Sequence, residues 1–297
     1  MYTRMLIPLD GPATAEKVLP YARALAGTLK IPVELLGVID ITAITTHVPA
    51  ERAKTFIAHW ESGTKAYLEE IAGSFPGVSV KCTVGIGRPE EVIIAKAAED
   101  RRTLITMATH GRSGVSRWLL GSVAEKVLRA TSNPLLLIRA VEQARAEGEA
   151  ALKSIVVPLD GSDLAESVLP TVAEVAKLLN LEIVLIRAYE LPAAAYYGSE
   201  DYLPNYEEIK RHVEEEARGY LDKKVEALKA DGLEKVSSVL LEGPGADEII
   251  EIARKTPDNL VAMCTHGRSG VKRWVLGSVT EKVVRHSGDP VLVVRAA

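Results

Sequence analysis

Thr109-His110-Gly111-Arg112-Ser113-Gly114 is followed after a short spacer by Gly121-Ser122-Val123-Ala124-Glu125. The same residue types recur as Thr265 to Gly270 and Gly277-Ser278-Val279-Thr280-Glu281. A Ser with a Glu three positions on is the capping-box pattern that opens a helix, so Ser122 with Glu125 and Ser278 with Glu281 predict two helix starts. Gly121 and Gly277 then stand directly before those starts. First-turn amides lack intrahelical partners and sit at the positive end of the helix dipole, and a glycine lets backbone approach a phosphate closely. The chemistry on offer is anion binding, of the kind a polyphosphate needs. An ordinary stable helix would use the same pattern. Identical spacing in both copies favours a ligand, although a duplication preserves structure as readily as function.

Other chemistry is weaker. Gly85-Ile86-Gly87-Arg88-Pro89-Glu90 begins like a dinucleotide fingerprint, but it lacks the third glycine and follows a third strand, so it reads as a strand-to-helix turn. No Gly-Lys-Ser or Gly-Lys-Thr occurs, which removes a Walker P-loop. His110 and His266 have no second His or carboxylate at metal-ligand spacing and read as loop histidines; no catalytic residue and no metal site is assigned. Cys82 and Cys264 fall at non-equivalent places in the two halves, against a disulfide framework or a Cys-based zinc site. Reduced thiols are expected, with Cys264 an inert thiol at a buried strand end. Trp118 and Trp274 recur in apolar turns and read as packing anchors.

The elements that must position these residues follow from hydrophobic period. Met5–Leu9 is a short apolar run ending at Asp10-Gly11, as in a strand buried on both faces. Thr14–Leu29 has helical spacing, Ile31–Ile39 is a second strand, Glu51–Ala72 a long helix and Val78–Val84 a third strand. Pro89–Asp100 is helical with proline in its first turn. Leu104–Ala108 and Pro134–Ile138 are the fourth and fifth strands, separated by a loop and a helix from Ser122 to about Ala130. Alternating strands and helices predict an α/β chain of doubly wound, Rossmann-like domains, each a five-stranded parallel sheet with helices on both faces. Ligands in that architecture sit outside the carboxyl ends of the strands, where strand order reverses. Those ends are Pro8 to Asp10, Val38 and Met107-Ala108, and in the second half Pro158 to Asp160, Ala188 and Met263-Cys264.

The second half is a second copy. His110–Ala140 and His266–Ala296 match at 20 of 31 positions, and Ile7-Pro8-Leu9-Asp10-Gly11 corresponds to Val157-Pro158-Leu159-Asp160-Gly161. Six extra residues lie between these blocks in the second copy, assigned to the region of Tyr189 to Tyr206. The Ala- and Glu-rich stretch Val141–Ala151 reads as a linker, giving domains at 1–145 and 152–297. With 297 residues and 47% hydrophobic content, each half has material for its own core. A formal charge of −4 without a basic face argues against nucleic acid. No segment approaches a membrane span or a secretory leader, so a cytoplasmic protein without membrane attachment is expected.

The run from the fourth to the fifth strand, with the Pro-Leu-Asp ending of the first, resembles the universal stress protein family over nearly all of both halves, in a tandem arrangement. Such domains resemble adenine nucleotide alpha hydrolases in fold. In the family's nucleotide-binding members the motif is Gly, two residues, Gly, nine residues, then Gly followed by Ser or Thr. Gly111 with Gly121-Ser122 matches it, as does Gly267 with Gly277-Ser278; Ala108 and Cys264 stand at the first glycine. The resemblance implies that Asp10 and Asp160 contact the nucleoside end and that backbone at Val38 and Ala188 meets adenine. It also implies that Gly111, Gly121, Ser122 and Val123, with Gly267, Gly277, Ser278 and Val279, hold the phosphates. Arg112 and Arg268 are added either as mobile cations beside that anion or as solvated loop arginines. The extra bulk of Cys264 is expected to narrow the second pocket and to make the first half the tighter site.

The expected function is therefore a stress-response module that binds ATP, ADP or AMP, with Mg accompanying the phosphates and at most slow hydrolysis. The alternative is an interaction or scaffold module of the same fold without nucleotide. An ATP pyrophosphatase or adenylating enzyme is disfavoured, because Pro8-Leu9-Asp10-Gly11 is neither the Ser-Gly-Gly-x-Asp-Ser nor the His-Ile-Gly-His element those chemistries need. The apolar strands at Leu135–Ile138 and Val291–Val294 are poor exposed edges. Pairing of the two copies within the chain, a homodimer and further protein partners are expected.

Overall fold

Met5, Leu6 and Ile7 have no exposed surface, and Leu104, Ile105, Leu135 and Leu136 are almost as deeply buried. Consecutive apolar residues can all be covered only when both faces of a sheet are packed, the condition of a parallel sheet under helices. The computed structural model describes residues 2–11, 15–41, 50–109, 120–139, 150, 152–191, 206–265 and 276–295. In the first half β1 (Arg4–Leu9), α1 (Leu19–Leu29), β2 (Val33–Ile39), α2 (Ala50–Ala72), β3 (Val80–Ile86), α3 (Pro89–Ala98), β4 (Thr103–Ala108), α4 (Ser122–Ala130) and β5 (Leu135–Ile138) alternate. The second half repeats them as β6 (Ser154–Pro158), the short α5 (Asp163–Glu166), α6 (Leu169–Leu179), β7 (Glu182–Tyr189), α7 (Tyr206–Ala230), β8 (Val236–Glu242), α8 (Gly245–Lys255), β9 (Asn259–Cys264), α9 (Ser278–His286) and β10 (Val291–Val294).

By contacts the chain divides into two compact units, the first comprising Met1–Ala151 with Lys272–Leu276 and Pro290–Arg295. In the first unit the strands run β3-β2-β1-β4-β5, all parallel, and β10 continues the row by pairing antiparallel with β5 through Leu292↔Leu136. The edge that β5 would otherwise expose is thereby covered. In the second unit the parallel order is β9-β6-β7-β8. The doubly wound α/β prediction holds. Strand order reverses beside β1 in one unit and beside β6 in the other, so a crevice lies at the carboxyl ends of β1 and β4 and another at those of β6 and β9.

Local departures from the sequence reading have physical causes. The predicted helix from Thr14 begins as a 3-10 turn over Ala15–Val18 and becomes α1 at Leu19. Pro20 falls in the first turn of α1, where its missing N–H costs nothing. β3 starts at Val80 rather than Val78, because the Val78 amide turns back to the Phe75 carbonyl at 3.4 Å. Residues 40–49 connect β2 to α2 and residues 190–205 connect β7 to α7, so the second connection is six residues longer.

Candidate functional site

In each half the crevice is floored by strand ends and closed by the start of a helix. The first crevice, about 260 Å³, is lined by Pro8, Leu9 and Asp10 from β1, Leu36 and Val38 from β2, Met107 and Ala108 from β4, and Gly121, Ser122 and Val123 at α4. The second, about 320 Å³, is lined by Pro158, Leu159 and Asp160, Ala188, Met263 and Cys264, and Gly277, Ser278 and Val279. The structure thus brings together eight predicted residues in each half. Gly111 and Arg112 of the first loop, and Gly267 and Arg268 of the second, lie outside the described residues, as do His110, His266, Trp118 and Trp274.

The capping boxes are corrected. Gly121 itself is the N-cap of α4, with extended backbone (φ −61°, ψ 147°), and Ser122 is the first helical residue, so the N-cap has no side chain with which to cap the turn. Gly277 and Ser278 behave alike at α9. The cause is loop closure: the Gly121 amide donates to the Thr109 carbonyl at 2.7 Å, and Gly277 to Thr265 at 2.8 Å. These bonds fix the glycine where a capping serine would have stood. Glu125 and Glu281, released from a capping role, instead pair one turn on with Arg129 at 3.2 Å and Arg285 at 2.9 Å. A glycine N-cap supplies no capping oxygen of its own, and the first turn of each helix lines its crevice, an arrangement suited to an anion.

At the opposite end the two aspartates differ. Asp10 is exposed at the end of β1. Asp160 accepts from the Ser162 amide at 3.0 Å and from its hydroxyl at 2.6 Å, while Ser162 caps α5. Cys264 is buried, its sulfur 2.8 Å from Ser167 Oγ, and burial raises its thiol pKa, so the thiol stays protonated. The strand end beneath it is also held, because Thr280 Oγ1 donates to the Cys264 carbonyl at 2.8 Å.

Cys264 does not leave the second crevice narrower. Its volume is no smaller than that of the first, and Ala188 and Gly245 stand where Val38 and Pro89 line the first crevice. Pro89 and Ile93, with Gly245 and Ile249, are wall residues that the sequence reading did not name as ligand-facing. Their signal was present in the i, i+4 spacing at the start of a helix that follows a strand end. Gly85-Ile86-Gly87 makes the predicted turn: Gly87 takes φ 143° and donates to the Ile39 carbonyl at 3.0 Å. Among the described residues there is no group of three His, Cys, Asp or Glu that could hold a metal ion.

Comparison with known proteins bears on both halves. The family model described as the universal stress protein family matches residues 1–139 and again 151–295. A universal stress protein of Methanocaldococcus jannaschii is 35% identical over 151 residues, covering 50% of this chain and 85% of that protein. One from Mycobacterium tuberculosis is 20% identical over 298 residues, covering 98% of this chain and 96% of its own. The crystal structure of a universal stress protein from Archaeoglobus fulgidus superposes with a TM-score of 0.75 at 20% identity, covering the whole of both chains, which supports the fold.

Proposed function

The chain belongs to the universal stress protein family, and from that premise we propose that each half binds an adenine nucleotide in its crevice. The base faces Val38 or Ala188, and the phosphates rest on the first turn of α4 or α9. The observation that carries this reading is the uncapped helix start, with glycine as N-cap, repeated in both halves at the strand ends where this fold receives ligands. A largely apolar crevice ending in one carboxylate and one set of amides suits a flat base joined to an anion. The role is binding, with slow ATP hydrolysis as an upper bound.

As a working context we place the protein in the cytoplasm, as a homodimer whose nucleotide state is passed to protein partners. Among the described residues no helix is long and apolar enough to cross a membrane. Light scattering at micromolar concentration tests the dimer, and a mass of 32.0 kDa would refute it. For the nucleotide, the purified protein is denatured and the released small molecules are identified by mass spectrometry. ATP, ADP or AMP in stoichiometric amount is expected. If none is released and the emptied protein gives no heat with any of the three at millimolar concentration, the scaffold reading replaces this one.

A further inference from the structure

Beyond Asp10 and Val38, on the side facing α2, the first half opens into a second cavity of about 690 Å³ that shares Leu9, Asp10, Val38 and Pro89 with the nucleotide crevice. Its far wall is α2, carrying Trp60, Thr64 and Tyr67. The corresponding region of the second half is divided by an ion pair. Tyr67 donates to Glu16 at 3.0 Å and Tyr220 to Glu166 at 2.8 Å, which aligns α2 with α7 and makes Gly37, Gly63, Thr64 and Trp60 the counterparts of Arg187, Glu216, Ala217 and Val213. Arg187 is buried in β7, 3.4 Å from Glu216 and with its guanidinium 4.9 Å from the Tyr220 ring centre. That bridge lies along two separate hollows of about 400 and 430 Å³. The exchange is concerted. A side chain at Gly37 would collide with Thr64 Cγ2, whereas the residue at the position of Thr64 in the second half is the smaller Ala217.

What remains open in the first half has a definite chemical character. Trp60 is 45% exposed and Phe56, one turn earlier, 48%, with ring centres 6.4 Å apart. Large aromatic faces left to solvent beside a cavity offer a stacking wall. The described lining includes the carboxylates of Asp10 and Asp40 beside the imidazole of His59, and no lysine or arginine, so it favours N–H donors or a cation against an aromatic face. We infer that this cavity is a second ligand compartment, confined to the first half, for a planar aromatic ring bearing amino or amidinium donors. Such a ring arrives either as a free small molecule or attached to the base of the bound nucleotide.

Benzamidinium is the probe for the free ligand, followed by tryptophan fluorescence and calorimetry, with benzoate as its charge-reversed counterpart. Saturable binding of benzamidinium is expected, at least tenfold tighter than benzoate. Trp60→Leu should weaken it at least tenfold, and so should closing the cavity with Gly37→Arg, Gly63→Glu and Thr64→Ala together, while AMP binding is unchanged in the closed variant. For the attached ligand, AMP carrying a 4-aminobenzyl group on its 6-amino nitrogen is compared with AMP. A gain of tenfold or more that Trp60→Leu removes assigns the ring to the nucleotide; benzamidinium binding without that gain assigns it to a free molecule. The inference is overturned if neither probe binds better than its control, or if both substitutions leave binding intact. Loss of AMP binding with benzamidinium binding retained counts against the nucleotide reading alone.

Discussion

The two crevices share a backbone and differ in their walls. Both keep glycine as N-cap, the amide-to-carbonyl bond that closes the loop behind it and an aspartate at the end of the first strand. Around that constant frame Val38, Pro89, Ala108 and Ala124 of the first half are replaced in the second by Ala188, Gly245, Cys264 and Thr280. An anion needs particular backbone geometry, which few sequences supply, whereas an apolar surface tolerates exchanges of similar total volume. Polar support has diverged further. In the first half the buried Glu34 receives Arg4 at 2.7 Å and Thr83 at 2.7 Å, with Lys96 at 3.4 Å; its counterpart in the second half is Val184, paired across the sheet with Val156, and Ser154 stands at the position of Arg4. At this position one copy uses ions and the other packing.

That contrast can be broken at Glu34. Glu34→Ala should destabilise the first half by about 3 kcal/mol, because Arg4 and Lys96 are left without their buried partner. Val184→Ala in the second half should cost about 1 kcal/mol, the loss of two methyl groups from a partly covered site. Denaturant melts of the two variants compare the costs, and equal losses would mean that the ionic cluster stabilises no more than the packing it replaces.

A second difference concerns pH. Asp289 stands where the first half has Asn133, and burial raises its pKa to about 6 from an ordinary 3.8. Its protonated form is the one the fold favours, so this contribution to stability is complete below pH 3.8 and is lost as pH rises through about 6. Asp289→Asn should flatten the fall in thermal stability between about pH 4 and pH 7 and stabilise the protein at pH 8 by roughly 2 kcal/mol, allowing for partial solvent screening. An unchanged pH profile would place the titrating group elsewhere.

The smallest effect expected is in the crevice walls. Val38→Ala with Pro89→Gly should weaken nucleotide binding in the first half by about fivefold, since wall atoms that touch the base are removed. Ala188→Val should strengthen the second half by a few fold on the same ground. Titrations of each variant test the pair, and opposite signs would show that the larger crevice fits better.

Much of this was legible in sequence because it is local. The buried strand β1, the helix α4 at Ser122–Ala130 and the glycines before α4 and α9 follow from apolar runs, helical period and turn chemistry. What escaped depends on contacts between distant residues. Ser122 has the residue type of a cap, but the bond from Gly121 to Thr109 decides which residue occupies that position. Cys264 has the bulk to narrow a crevice, but the wall also includes Ala188 and Gly245, from two other elements, and the crevice is no smaller than its counterpart. The exchange of Gly37 and Thr64 for Arg187 and Ala217 is invisible until the Tyr–Glu contacts fix how each long helix lies on its sheet.

The central claim is that two related helix starts each hold the phosphates of one adenine nucleotide. Calorimetric titration of ATP into the wild-type chain, Gly121→Val and Gly277→Val tests it directly, because the extended backbone at both glycines accepts valine without strain while the side chain blocks the approach of phosphate. Two sites per chain are predicted for the wild type. Each variant should retain one, with the first-half site that survives in Gly277→Val the tighter of the two. Two intact sites in both variants, or no heat from the wild type at millimolar ATP, would contradict the account.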